Sequence, residues 1–133
     1  MTQDIRWKQR FENFNRALCK LQSFAQQEKE TTTDINQVAL IGAFEFTFEL
    51  GWKTLKDYLD FGGVQVSLPR EVIKQAFHHT LIEDGETWIK MLEDRNILSH
   101  VYDEQKAYAA IQSIHTYYIP ALVQAHGFLH SKL

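Results

Sequence analysis

Glycine and proline are scarce in this chain, with six glycines and two prolines among 133 residues. Both residue types mark turns and helix ends, so their scarcity argues against a fold of many short strands joined by tight turns. We therefore expect few, long elements. A chain of this length is suited to one hydrophobic core, and residues 1–133 are predicted to form a single domain.

Cysteine is scarce as well, and the chain has neither a positive net charge nor a long apolar run. The single cysteine, Cys19, cannot form an internal disulfide, and its amphipathic surroundings predict a small buried side chain. A net charge of −3 disfavours a protein that coats nucleic acid by charge alone. No segment approaches the roughly 20 apolar residues of a membrane span, and "MTQDIRWKQR" lacks the apolar run of a secretion signal. A cytoplasmic protein with no membrane contact is expected.

The common catalytic signatures are absent too: the sequence has no glycine-rich phosphate loop, CxxC pair, HExxH or GxSxG. His126 and His130 are four residues apart and could share a helix face, but no third metal ligand is evident nearby. A surface or interface role suits them better. The adjacent His78 and His79 point to different sides of a helix and therefore make a poor pair of metal ligands. We predict no metal and no cofactor.

Apolar residues repeat at helical spacing along three stretches. The first predicted helix buries Trp7, Phe11, Phe14, Leu18, Leu21 and Ala25. The second, from about Ile35 to Asp60, buries Val38, Ile41, Phe44, Phe48, Trp52, Leu55 and Leu59, although its segment "FEFTFEL" alternates as a strand would. The last buries Ala107, Ile111, Ile114, Tyr118, Ala121, Ala125 and Phe128.

Polar residues and prolines predict where these helices begin, end and bend. Asp34 with Gln37 is a helix-starting pair, and Ser67 before Pro69 indicates a short third helix to about Leu81. A fourth helix follows Asp84 and Gly85, with Trp88, Ile89 and Leu92 inward, and ends near Ile97. The last begins near Asp103, and Pro120 should kink it near Thr116. The predicted fold is an all-α, antiparallel, up-and-down four-helix bundle with an additional short helix.

Charged residues on the second helix form one candidate site. Glu45, Glu49 and Lys53 repeat every four residues and therefore share a face. A solvated face is one interpretation. The other is a binding cleft, since the helix is otherwise rich in aromatic residues.

A second candidate site lies in "EDRNILSHVYDE", residues 93–104. Arg95 and His100 are five residues apart and diverge by about 140° on a continuous helix, so they converge only if the helix breaks between them. The predicted helix ends place a break there. Arg95 and His100 would then suit a phosphate site, or RNA cleavage with the imidazole moving a proton and the guanidinium stabilising the phosphate. Alternatively, Arg95 pairs with Asp94, Asp103 or Glu104 and only ties two helices together.

Three segments, "FEFTFELGWKTLKDYL", "LPREVIKQAF" and "LIEDGETWIKMLEDRNILSHVYDE", resemble the nucleotidyltransferase substrate-binding family, whose members are related to HEPN domains. The resemblance implies a helical bundle that forms a homodimer and works with a cognate minimal nucleotidyltransferase subunit in a hetero-oligomer. The chain itself lacks the Gly-Ser and paired-aspartate motif of a nucleotidyltransferase. It would supply a substrate-binding cleft, to which we assign Glu45, Glu49, Lys53 and Asp103.

The resemblance also implies an alternative, a metal-independent endoribonuclease toxin that the nucleotidyltransferase antitoxin neutralises. Arg95, Asn96 and His100 match the ribonuclease motif of HEPN proteins position by position. Tyr102 matches the tyrosine to which the antitoxin transfers AMP. RNA or a nucleotide would be the substrate. A third hypothesis is a structural dimer whose polar junction only stabilises the bundle.

Overall fold

The computed structural model describes residues 2–97 and 103–133. Helices account for about four fifths of these residues, and no strand occurs among them. The elements are α1 (Gln3–Glu30), α2 (Asp34–Phe61), α3 (Pro69–His78), α4 (Gly85–Glu93), α5 (Glu104–Ser113), a π-helical segment (Ile114–Tyr118) and α6 (Ile119–His130). The predicted all-α bundle is confirmed, with α3 as its additional short helix.

The two long helices α1 and α2 form an antiparallel pair because a link of three residues, 31–33, joins them. Their cross-contacts follow that orientation: the Thr47 hydroxyl donates to the Ala17 carbonyl at 3.2 Å, and Arg10 donates to Asp57 at 2.8 Å. Asp57 is 4% exposed, so this ion pair is held at the edge of the core. The segment "FEFTFEL" is helical, as the flanking period predicted.

The core contains most of the predicted apolar stripes. In the last helix Ala121 and Phe128 are only partly buried, and the adjacent Leu122 and Leu129 are buried instead. All six predicted residues of α1 are buried, from Trp7 to Ala25. In α2 the exception is Val38, which is 42% exposed and lies in the second turn of the helix, near the link at residues 31–33. Cys19 was also predicted wrongly, since it is exposed one position after the buried Leu18.

Two predicted helix starts need correction. The N-cap of α2 is Thr33 rather than Asp34: its hydroxyl accepts from the Asn36 amide at 3.1 Å, while Asp34 is the first helical residue. A carboxylate in that first turn still favours the positive end of the helix dipole. At α3, Leu68 occupies the N-cap position without a side-chain hydrogen bond, so Ser67 caps nothing.

Helices α3 and α4 both end earlier than predicted. The third ends at His78 rather than about Leu81, and Thr80 adopts a φ of +64°, which a regular helix does not allow. Leu81 and Ile82 are nevertheless buried, as part of the turn into α4. The fourth ends at Glu93 rather than near Ile97.

The last predicted helix begins where expected, because the Asp103 side chain accepts from the Lys106 amide at 3.2 Å and caps α5. The distortion predicted near Thr116 is the π-helical segment, which is centred on that residue. Within it, the Ile119 amide donates to the Ile114 carbonyl five residues back. The missing amide hydrogen of Pro120 favours such a widened turn. Within the described ranges, we find no helix long and apolar enough to cross a membrane.

Candidate functional site

Glu49 on α2 is the centre of a cluster of charged side chains. Arg95 Nη1 lies 4.0 Å from its Oε1, and Lys53 Nζ lies 4.0 Å from its Oε2. The Trp52 indole nitrogen donates to Oε2 at 3.0 Å, which fixes the carboxylate. All three charged side chains are partly exposed, so two cations meet at a surface open to solutes.

Arg95 reaches Glu49 because α4 ends just before it. The Asp84 side chain caps the start of α4 by accepting from the Thr87 amide at 3.0 Å, and Trp88 and Met91 are fully buried. The chain then turns: the Asp94 amide donates to the Lys90 carbonyl at 2.9 Å, and the Ile97 amide donates to the Asp94 carbonyl at 3.0 Å. This turn directs Arg95 toward α2 rather than along the axis of α4.

The same turn is anchored from the π-helical segment. The Tyr118 hydroxyl donates to Asp94 Oδ2 at 2.5 Å, and the Tyr118 ring stacks on Phe44 of α2 with centroids 5.1 Å apart. Burial, followed by the hydrogen bond to Asp94 and the charge of that carboxylate, raises the pKa of Tyr118 well above the usual phenol value. The phenol therefore stays protonated and acts as a donor at neutral pH.

Apart from Asp103, which caps α5, the predicted site residues fall into three groups. Arg95, Glu49 and Lys53, which the sequence assigned to two separate candidate sites, come together in one cluster. Asn96 is exposed on the same turn, and Glu45 lies one helical turn before Glu49, partly buried. His100 and Tyr102 lie outside the described residues.

The hypothesis that Arg95 pairs with Asp94, Asp103 or Glu104 is wrong in its choice of partner. Arg95 pairs with Glu49 instead, Asp94 accepts from Tyr118, and Asp103 caps α5. Sequence reasoning failed because Glu49 is 46 positions away along the chain, and periodicity gives no information about contacts between helices.

Asp94 and Tyr118 were missed as supporting residues of this cluster. Tyr118 was assigned to the apolar stripe, which is correct for its ring but leaves its hydroxyl unexplained. A buried phenol needs a hydrogen-bond acceptor. That requirement was the available signal, although it does not identify the acceptor.

Within the part of the chain that the structure describes, the other candidate histidines make contacts of their own. His126 Nε2 lies 2.7 Å from the Asn15 side-chain oxygen. The His126 ring stacks on the His130 ring and packs against Phe11. Across residues 2–97 and 103–133, no three His, Cys, Asp or Glu side chains are arranged to hold a metal ion.

Cavities lie on either side of the contact between Asp94 and Tyr118. One of about 350 Å³ is lined by Asp94, Ile97, Lys106 and residues of α5, and one of about 270 Å³ is lined by Tyr118, Tyr117, Lys90 and residues at the start of α4. Ser113 borders both, so they flank the contact between Asp94 and Tyr118. A larger apolar groove of about 700 Å³ lies between α3 and α4 and includes none of the predicted site residues.

Comparison with known proteins places this architecture in a family. The family described as "Nucleotidyltransferase substrate binding protein like" matches residues 9–131. The chain belongs to this family. The match to the nucleotidyltransferase substrate binding protein family includes most of α1, all of α2 and the residues of the Glu49–Arg95 cluster.

Solved structures of similar proteins agree with the family assignment. A protein of Thermus thermophilus has a crystal structure with a TM-score of 0.78 and 30% identity, covering 86% of this chain and 96% of that one. A Haemophilus influenzae protein, with a TM-score of 0.79, 22% identity and coverage of 90% and 98%, shares the fold. Its structure is described as revealing the fold of a substrate binding domain of a nucleotidyltransferase.

A curated relative from Haemophilus influenzae is named "Probable ribonuclease HepT". It is 31% identical to this chain over 84 residues, which is 59% of this chain and 58% of the relative. The match thus spans less than two thirds of that protein's length.

Proposed function

We propose that this chain is the helical, substrate-binding subunit of a two-component nucleotidyltransferase system. The observation that carries this proposal is the family match over residues 9–131. The sequence supports it by lacking the Gly-Ser and paired-aspartate motif that binds catalytic metal ions in nucleotidyltransferases. A separate nucleotidyltransferase subunit must therefore supply the chemistry, and this chain supplies a surface for the substrate.

The surface we assign to the substrate is the cluster of Arg95, Lys53 and Glu49. Arg95 and Lys53 both pair with the Glu49 carboxylate, so an incoming phosphate or carboxylate can replace Glu49 as the partner of the Arg95 guanidinium. Glu49 would still accept the hydrogen bond from Trp52. The 4.0 Å separation of each ion pair leaves both cations weakly engaged. Glu45 and Asp103 are proposed to border this cleft.

Co-expression with a cognate minimal nucleotidyltransferase, the partner that the family implies, tests the proposal. We expect a stable complex that binds ATP or its acceptor substrate, with Arg95→Ala weakening the binding of the anionic ligand by about 10-fold or more, since hydrogen bonds to charged groups contribute about 1.5–3 kcal/mol. Arg70→Ala is the matched control, because Arg70 is exposed on α3, away from the cluster. Failure of the two proteins to associate would refute the proposal.

A second candidate function is an endoribonuclease of the HEPN type. Two observations favour it: the similarity to the probable ribonuclease HepT, and the spacing of Arg95, Asn96 and His100. The purified chain would then cleave RNA in EDTA, and His100→Ala would abolish the cleavage. Equal cleavage by both proteins would indicate a contaminating nuclease and exclude this function.

The two functions are compatible if the chain itself is the substrate of the nucleotidyltransferase. In that case incubation with ATP, Mg²⁺ and the partner adds the mass of AMP to the peptide that contains Tyr102. Tyr108, which is 64% exposed on α5, offers an internal control, because it should stay unmodified. A Tyr102 peptide of unchanged mass would exclude this modification.

The proposed assembly is a homodimer of this chain within a hetero-oligomer. Light scattering of the chain alone and of the complex measures both stoichiometries. A single domain over residues 1–133 and a cytoplasmic location stay predictions. A structural dimer without activity predicts instead that His100→Ala lowers stability and changes neither the complex nor any reaction.

A further inference from the structure

We infer that Tyr118 is a positioning residue for the substrate site: its buried hydroxyl holds Asp94 and so fixes the direction from which Arg95 approaches Glu49. The inference deepens the proposed function, because it rests on the role assigned to Arg95 there. Tyr118 touches no substrate in this arrangement and acts through the turn that carries Arg95.

Tyr118 contacts both structural elements that form the ion pair. Its ring stacks on Phe44, which lies on α2 five residues before Glu49. Its hydroxyl holds Asp94, which immediately precedes Arg95. With 3% of the residue exposed, the ring has little freedom. The side chain therefore acts as a spacer of fixed length between α2 and the turn after α4.

The turn depends on this contact because Asp94 is its pivot. The backbone of Asp94 donates back to Lys90 and accepts from Ile97, so both ends of the turn meet at this residue. The Tyr118 hydroxyl supplies a third bond, which ties the turn to the π-helical segment. Without it, the turn loses its anchor to the π-helical segment, and its local hydrogen bonds open more often.

Burial of the ring alone does not require a hydroxyl at this position. A phenylalanine would fill the same space against Phe44 and avoid the cost of desolvating a polar group. The hydroxyl and the Asp94 carboxylate form a charge-assisted bond of 2.5 Å, the strong class of hydrogen bond. Tyr118→Phe therefore removes the anchor while retaining the packing.

Hydrogen exchange of the Asp94 and Ile97 amides, which donate the backbone hydrogen bonds of this turn, tests the anchor directly. Exchange in Tyr118→Phe should be at least about 10-fold faster than in the parent chain, because a hydrogen bond to a charged group is lost. Exchange in α1 and α2 should not change. Tyr117→Phe is the matched control, since Tyr117 is adjacent, 61% exposed and lines the neighbouring cavity. Unchanged exchange in Tyr118→Phe would overturn the inference.

Coupling between variants tests whether Tyr118 acts through Asp94. Asp94→Ala should produce the same faster exchange, and adding Tyr118→Phe to it should change the rate by less than about 2-fold. Asp94→Asn keeps an acceptor oxygen and should restore part of the protection. Additive effects of the two substitutions would show that Tyr118 acts independently of Asp94 and would contradict the inference.

Ligand binding to the complex separates this inference from the proposed function. In the complex, Tyr118→Phe should weaken binding of the anionic ligand about 10-fold in the parent background and have no further effect on Arg95→Ala. If the parent complex binds no ligand while exchange responds as expected, the proposed function fails and the anchor stands. If ligand binding responds to Arg95→Ala but not to Tyr118→Phe, the positioning role fails alone.

Discussion

At the scale of a residue, His126 shows how burial makes an ordinary side chain sensitive to pH. Its ring packs against Phe11 of α1, and Nε2 contacts the Asn15 side-chain oxygen. Burial, and then the charge of His130, lower the pKa of His126 below its usual value of 6.5. Between the folded and the usual pKa the unfolded chain binds more protons, so the free energy of unfolding falls as the pH is lowered through this range.

The corresponding prediction concerns urea unfolding from about pH 7 to about pH 5. The parent chain should lose stability as the pH falls, and His126→Gln should reduce this pH-dependent loss because it removes the titrating group. His79→Gln serves as control, since His79 is exposed at the end of α3. An identical pH slope for His126→Gln and the parent chain would show that other groups cause the loss.

At the scale of an element, the start of a helix shows how far sequence reasoning reaches. Asp84 and Asp103 were expected at helix starts, and both cap a helix. Ser67 has equally suitable chemistry but caps nothing, because α3 starts two residues later at Pro69. Residue type therefore identifies candidate caps, while the geometry of the preceding chain decides which of them is used.

Substitution of these two candidates should separate a used cap from an unused one. Hydrogen bonds from the Thr87 hydroxyl, and then from the Thr87 amide, lower the pKa of Asp84. The contribution of Asp84 to the free energy of unfolding is therefore present above its usual pKa of 3.8, and it is lost as the pH falls through the lower pKa of the folded state. At neutral pH, Asp84→Ala should cost about 1 kcal/mol of unfolding free energy. Ser67→Ala should change it by less than about 0.5 kcal/mol. Equal losses in chemical denaturation would refute the assignment.

At the scale of the whole molecule, Gly51 marks the place where four helices meet. A Cβ at Gly51 of α2 would lie 3.2 Å from Phe14 of α1, 3.4 Å from Trp88 of α4 and 3.5 Å from Leu122 of α6. In the sequence this glycine only interrupts an apolar stripe. Its role depends on contacts between distant segments, so no local pattern could reveal it.

Two glycine substitutions test this packing. Gly51→Leu should lower the free energy of unfolding by about 2–3 kcal/mol, because three helices would have to move apart. Gly127→Ala should raise it by up to about 1 kcal/mol, since Gly127 lies within α6 and a Cβ there meets nothing within 4 Å. Urea denaturation with both variants measures the difference, and a tolerated leucine at position 51 would contradict the tight convergence.

The sequence predicted much of this architecture because helix periods and many caps are local properties. The stripes from Trp7 to Ala25 and from Ile41 to Leu59 are buried as expected. The candidate site was predicted only in pieces. Arg95 and Glu49 were both identified, but their contact depends on how α4 ends relative to α2. That relation is set by side-chain packing, including the Tyr118 ring, and not by either segment alone.

The π-helical segment also sets the length of the last helix. One widened turn accommodates one residue more than a regular α-helical turn. The turn carries Tyr118, which contacts Asp94, and His115, whose Nε2 lies 2.6 Å from Glu28 Oε1. Removing one residue between His115 and Tyr118 would restore a regular turn and leave them two positions apart, about 200° around the helix axis, which changes their relative directions. A family member without the widened turn should therefore show a single-residue gap at this point in an alignment. It could keep only one of the two contacts in its present register.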